Sequence, residues 1–197
     1  MNVTEFDKTL LLPHFHLKEP YFIGIDGLSR SGKSTFVREL RRYFEDQGSV
    51  CFTFHIDDYI VPRNRRYETG FEEWYEYYFL QWDVEWLKDH FFSKIDRCRK
   101  VELPFYEEST DTHVLQEVNL EKVQIILVEG VFLQRKAWRH YFNRMLFLDC
   151  PKEERFAREN EETRKNLRKF QNRYWAAEEY YMKHVKPIES ADFVIES

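Results

Sequence analysis

Apolar residues fall along this chain in two alternating rhythms, short unbroken runs and helical spacings, and their succession predicts an order of elements. Tyr21 to Asp26 is a short apolar run suited to a buried central strand. From Gly32 to about Gln47 the apolar positions Phe36, Val37, Leu40 and Phe44 recur at helical spacing, and Gly48 stops the helix. Val50 to His55 reads as a second buried strand, and a β-α-β start favours a parallel sheet covered by helices. Val123 to Val128 and Met145 to Leu148 repeat the continuous strand pattern, and Asp192 to Ile195 forms a last strand.

The intervals are more polar. Asp57 to Gly70, with Pro62, reads as a loop, and Phe71 to about Asp96 as two helical pieces parted near Gln81-Trp82-Asp83. Lys100 to Leu120 has β-prone ends around a polar middle, which predicts a small hairpin projecting from the sheet. Gln134 to Phe142 is expected to be a short helix, and Pro151 to Asn160 and Leu167 to Val185 are expected to be helices. Residues 1 to 19 carry no clear period and read as a leading segment packed on the outside. With no internal repeat or linker, the 197 residues suit a single compact domain over 1–197.

Composition narrows the function classes. A net charge of −5 argues against a general nucleic-acid binder, which needs a concentrated positive field. No apolar run approaches the roughly 20 residues that span a bilayer, and the N-terminus lacks the basic-then-apolar order of a secretory signal, so no membrane partner and a cytoplasmic location are expected. Cys51, Cys98 and Cys150 are widely spaced and unpaired by motif, which indicates buried thiols rather than a disulfide framework or a zinc site. The aromatic share of 18% is high and serves either the core or a stacking surface.

Chemistry enters with the run Gly27-Leu28-Ser29-Arg30-Ser31-Gly32-Lys33-Ser34, set between the first strand and the first helix. Backbone amides of such a loop face the β- and γ-phosphates of a nucleoside triphosphate, and the next helix, opening at Thr35-Phe36, adds its positive dipole end. Lys33 neutralises phosphate charge and the Ser34 hydroxyl can ligate Mg²⁺. A parallel sheet binds its ligands beyond the carboxyl ends of its strands, so partners of the loop are expected at the other strand ends. Asp57 can orient or deprotonate an acceptor hydroxyl near the γ-phosphate, or it can cap a turn. Glu129, ending an apolar strand, can hold Mg²⁺ or its water shell, or cap the next helix.

Between Lys152 and Arg173 eight Lys/Arg stand against five acids. Arg155 and Arg158 share one helix face, as do Arg164 and Arg168, so they either close as a lid over about 152–170 or form a solvated surface with nearby glutamates. Tyr59, Tyr67, Phe71, Trp74, Tyr75, Tyr77 and Tyr78 crowd the segment after Asp57, as core or as a platform for a planar acceptor.

These motifs together resemble the uridine kinase branch of the P-loop kinases, which includes nicotinamide riboside kinases and, more distantly, pantothenate kinases and phosphoribulokinases. The resemblance is carried by IGIDGLSRSGKSTF at 23–36, HIDDYIVP at 55–62, QWDVEWL at 81–87, LPFYE at 103–107, ILVEGVFL at 126–133, LDCPKEERFARE at 148–159 and HVKPIESADFVI at 184–195. It implies an α/β three-layer sandwich, with a five-stranded parallel sheet between helices, a small hairpin and an Arg-rich lid. It further implies ATP- and Mg²⁺-dependent phosphorylation of a nucleoside 5′-hydroxyl, uridine or cytidine before nicotinamide riboside or another small metabolite, and often a homo-oligomer. By resemblance Asp57 takes the base position and Asp83 holds the ribose hydroxyls. Tyr59, Tyr106 and His113 belong to the acceptor side, Glu129 is the metal-side acid, and Arg155, Arg158 and Arg164 form the lid with Arg158 assisting transfer. Two departures stand out: Tyr106 is followed by Glu107 where the family carries Asp, and His113 lies two places later than the family's base-reading His. A regulatory NTPase is the rival class, and it would need neither Asp83 nor an aromatic pocket.

Overall fold

The computed structural model describes residues 6–11 and 19–197. Five strands, β1 (Tyr21–Gly27), β2 (Cys51–His55), β5 (Ile125–Gly130), β6 (Arg144–Asp149) and β7 (Phe193–Glu196), form one parallel sheet in the order β2-β5-β1-β6-β7. The other two, β3 (Lys100–Glu107) and β4 (Thr112–Asn119), pair as an antiparallel hairpin.

Side chains of the central strands alternate between two apolar layers, which makes the sheet the middle of a three-layer sandwich. Ile23, Ile25, Ile125, Leu127, Leu146 and Leu148 face Phe36, Val37, Leu40 and Phe44 of α1 (Lys33–Asp46). Phe22, Ile126, Val128, Met145 and Phe147 face the opposite layer, built from the helical runs 73–80, 84–97 and 167–184. That second layer absorbs much of the aromatic excess: Tyr77, Tyr78, Trp82, Phe91, Phe92, Phe132, Trp138 and Tyr181 are all buried in it. The end of α1 is set by Gly48, whose φ of 83° lets Gly48 and Ser49 donate back to Glu45 and Phe44 at 2.9 and 3.0 Å.

Several sequence expectations change here. Gln134–Phe142 is not a helix but a series of turns with one 3-10 turn at Arg139–Tyr141. Its polar side chains are pulled inward instead: Gln134 donates to Asp26 and to the Pro187 carbonyl at 3.0 and 3.1 Å, and the Arg135 guanidinium lies 4.0 Å from the Tyr78 ring centre. The polar loop 57–70 contains a 3-10 turn at Ile56–Tyr59 and a helical turn at Arg63–Arg66. Cys51 and Cys150 are buried thiols, whereas Cys98 is exposed. Of the leading segment, residues 1–5 and 12–18 lie outside the described residues, while Phe6 and Leu11 are buried, Phe6 beside the rings of Phe36 and Phe193.

One packing contact sets how closely the loop after β2 approaches β5. A Cβ built on Gly130 falls 2.1 Å from Cγ2 of the fully buried Ile56. Gly130→Ala is expected to destabilise the fold by about 1–3 kcal/mol through overpacking, read as a lower urea midpoint at unchanged m-value. A midpoint equal to wild type would show that Ile56 yields freely.

Candidate active site

Three adjacent strands deliver the chemistry, because β2, β5 and β1 lie side by side and all point their carboxyl ends the same way. His55 and Glu129 are register partners, so the two side chains emerge together. His55 Nδ1 lies 2.6 Å from Glu129 Oε1, and Ser34 Oγ donates to the same oxygen at 3.0 Å. The glutamate hydrogen bond, ahead of the opposing effect of burial, raises the His55 pKa. Burial pushes Glu129 up, but His55, Lys33 and Ser34 together outweigh it and leave the carboxyl below its ordinary value. A hydroxyl and a carboxylate side by side are hard oxygen donors of the kind Mg²⁺ prefers.

The loop between β1 and α1 is wound by left-handed backbone at Arg30 (φ 63°) and Gly32 (φ 94°). Lys33 is buried at its end and donates to the Leu28 carbonyl at 3.0 Å. Desolvation lowers its pKa, opposed by Glu129 and Asp57. Asp57, two residues past β2, is exposed to the cleft and receives no side-chain hydrogen bond from the described residues. The crowded walls raise its pKa, with Lys33 working against them and Glu129 and Asp58 adding to them. Trp82 fixes this segment by donating from its indole to the Ile56 carbonyl at 2.9 Å.

These residues share one cavity of about 690 Å³, lined by Ser29, Arg30, Gly32, Lys33, Ser34 and Thr35 of the loop and by Asp57, Glu129 and Arg158. Ile60, Tyr77, Gln81, Val131, Phe170 and Tyr174 line the same cavity, and Phe170 and Tyr174 also border a smaller one with Ser29 and Arg30. Of these, the motifs quoted above contain Ile60, Gln81 and Val131 and the crowd of aromatics contains Tyr77, whereas Phe170 and Tyr174, from the helical run 167–184, are marked by no motif. Gly27 and Ser31 complete the loop at the end of β1.

The three arginines assigned together to the lid separate. Arg155 is 6% exposed and lies beneath the loop, donating to Glu178 at 2.9 and 3.0 Å and to the Ser29 carbonyl at 3.1 Å. Glu178 in turn accepts from the Ser29 amide at 3.0 Å. Arg158 alone of the three lines the cleft, where it donates to the Arg30 carbonyl at 3.0 Å. Arg164 does not line it.

The acceptor-side residues carried over by resemblance gather elsewhere. Tyr59, Asp83 and His113 line a second cavity of about 200 Å³ with Arg65, Trp86 and Pro104. Asp83 accepts from the Trp86 amide at 3.1 Å, capping the helical turn at Val84–Leu87, and pairs with Arg65 at 3.2 Å. His113 Nε2 is 3.0 Å from the Ile60 carbonyl. Tyr106 lines neither cavity; its hydroxyl donates to Asp111 at 2.7 Å and accepts from Arg66 at 3.1 Å, tying the hairpin tip to the turn at Arg63–Arg66.

Comparison with known proteins bears on this geometry. A solved structure described as a possible uridine kinase from Bacillus stearothermophilus is 45% identical, with a TM-score of 0.83 over 95% of this chain and 94% of that one. This chain belongs to the uridine kinase-like family of P-loop kinases. Uridine kinases of Bacillus subtilis and Bacillus velezensis are 26% and 25% identical over 145 residues, 72% of this uridine kinase-like chain. That match spans 66% of the length of those relatives, just under two thirds. A D-glycerate 3-kinase from Cryptococcus neoformans, 11% identical with a TM-score of 0.56 over 92% of this chain and 83% of that one, shares the fold. No family model matches the chain. No helix among the described residues of this uridine kinase-like protein is long and apolar enough to cross a membrane.

Proposed function

We propose that the protein transfers the γ-phosphoryl group of ATP to the 5′-hydroxyl of a nucleoside, uridine or cytidine ahead of nicotinamide riboside. The observation that carries this reading is the one cleft that a phosphate-binding loop, an aspartate without a side-chain hydrogen bond from the described residues, and the rings of Tyr77, Phe170 and Tyr174 all line. Phosphoryl transfer needs little covalent chemistry from a protein; it needs in-line positioning and charge stabilisation.

In this reading the loop amides and Lys33 bind the β- and γ-phosphates, and Arg158, held at the loop by the Arg30 carbonyl, reaches the transferring group. Ser34 and Glu129 would hold Mg²⁺, whose charge would offset that of the phosphates. Asp57 accepts the proton of the attacking hydroxyl. Family membership supports a kinase, and the names of the relatives support a nucleoside acceptor.

The test is ATP consumption against a panel of uridine, cytidine, nicotinamide riboside, pantothenate and ribulose 5-phosphate. Turnover is expected with a nucleoside and to depend on Mg²⁺. Strong turnover only with pantothenate or the sugar phosphate overturns the nucleoside assignment, and full-rate hydrolysis with no acceptor favours a regulatory NTPase.

A further inference from the structure

The helical runs that carry Tyr77 and Tyr174, two of the rings lining the cleft, meet on one buried cation. Arg173, in the helical run 167–184, is 1% exposed, and its guanidinium donates to Glu76 at 3.0 Å and to the Arg66 and Glu73 carbonyls at 3.1 and 3.3 Å. It lies 4.1 Å from the Tyr67 ring centre and 5.6 Å from that of Tyr77. Its longest contact, at 3.5 Å, is to Gln81 Oε1. A guanidinium carries donors only, so the oxygen end of the Gln81 amide is the end that faces it. The NH₂ end then points away from Arg173, and Gln81 lines the cleft together with Tyr77, Phe170 and Tyr174.

Building on the kinase reading above, we propose that Gln81 selects the acceptor: its amide N–H donates to a carbonyl oxygen on the planar ring of a nucleoside seated among Tyr77, Phe170 and Tyr174, and Arg173 is the positioning residue that sets the amide's orientation. A donor at this place welcomes a carbonyl and meets an exocyclic amine donor to donor. Aromatic walls favour a flat ring over a flexible chain, and each ring can add stacking to the binding of the base. A site built to donate one hydrogen bond also discriminates more sharply than an apolar pocket, because a substrate lacking the carbonyl leaves the amide unpaired.

The experiment begins with wild-type turnover of uridine, cytidine and nicotinamide riboside, and continues with the best of them. Gln81→Leu is expected to raise the acceptor KM about tenfold, the loss of one neutral hydrogen bond, while the ATP KM stays within twofold. Removing Arg173 alone strands Glu76, so the paired change Arg173→Met with Glu76→Met is used, and it should raise the acceptor KM similarly. Added to Gln81→Leu, the pair should raise it no further, a non-additivity that a merely structural strut would not produce. Turnover with none of the three nucleosides overturns the kinase reading and this inference with it. Wild-type turnover with an acceptor KM unchanged in Gln81→Leu overturns the inference alone, as does full additivity of the two sets of changes.

Discussion

Asp57→Asn is expected to bind ATP as wild type does and to lose phosphoryl transfer by about 10²–10⁴-fold, the usual worth of a positioned proton acceptor. The amide keeps the volume and the polarity of the carboxylate, and the loop, Lys33 and Ser34 are untouched, so the donor end stays whole. What goes is an acid in the cleft with no side-chain hydrogen bond from the described residues. The wild-type pH profile should carry the same signature. Crowding raises the Asp57 pKa, and the carboxylate works only when ionised, so kcat/KM should fall as pH drops through a value above the ordinary aspartate range. Equilibrium ATP binding and single-turnover rates separate the two effects; near-normal transfer in the variant removes Asp57 from the role of base.

Arg155→Met is expected to cost about 3–5 kcal/mol of folding stability, because it leaves the Glu178 carboxylate buried without its cation. Burial already raises the Glu178 pKa, with Arg155 and the Ser29 amide opposing it, so loss of the arginine pushes the carboxyl further toward its neutral form. The pair brackets Ser29 from both sides, one partner on its carbonyl and one on its amide, so the loop next to Arg30 should loosen and the ATP KM should rise. Pairing the change with Glu178→Leu should recover most of the stability and little of the ATP affinity. Urea unfolding of the single and double variants reads the first effect. A single variant within about 1 kcal/mol of wild type would mean that the pair is dispensable.

The sheet was legible because its signal is local. Runs such as Ile23–Ile25 and Ile125–Val128 are buried on both faces and need no partner to be recognised. Glu129 and Asp57 were legible as candidates because topology alone places strand ends at the ligand crevice, Lys33 and Ser34 because of their spacing to Gly27 and Gly32, and all four line one cavity. The division of the arginines was not legible: Arg155 and Arg158 sit on one helix face, and only Glu178, 23 residues away, decides that one is drawn under the loop while the other stays at the cleft. Gln81 stood in a quoted motif, but its contact was hidden for a similar reason, since its neighbour Arg173 comes from a helical run about ninety residues on. Gln134–Phe142 failed as a helix because helical spacing of apolar residues says nothing of the inward polar contacts that Gln134 and Arg135 make.

The missing side chain at position 130 acts as a gauge. Glu129 precedes Gly130 and Asp57 comes directly after Ile56, so the separation of the two acids is set by the van der Waals touch between their neighbours. No hydrogen bond links the acids to each other, and Trp82 holds the Ile56 carbonyl from behind. In the proposed reaction the reach of Asp57 relative to Glu129 is therefore set by one close contact that leaves no room for a methyl group, independently of whichever residues line the rest of the cleft.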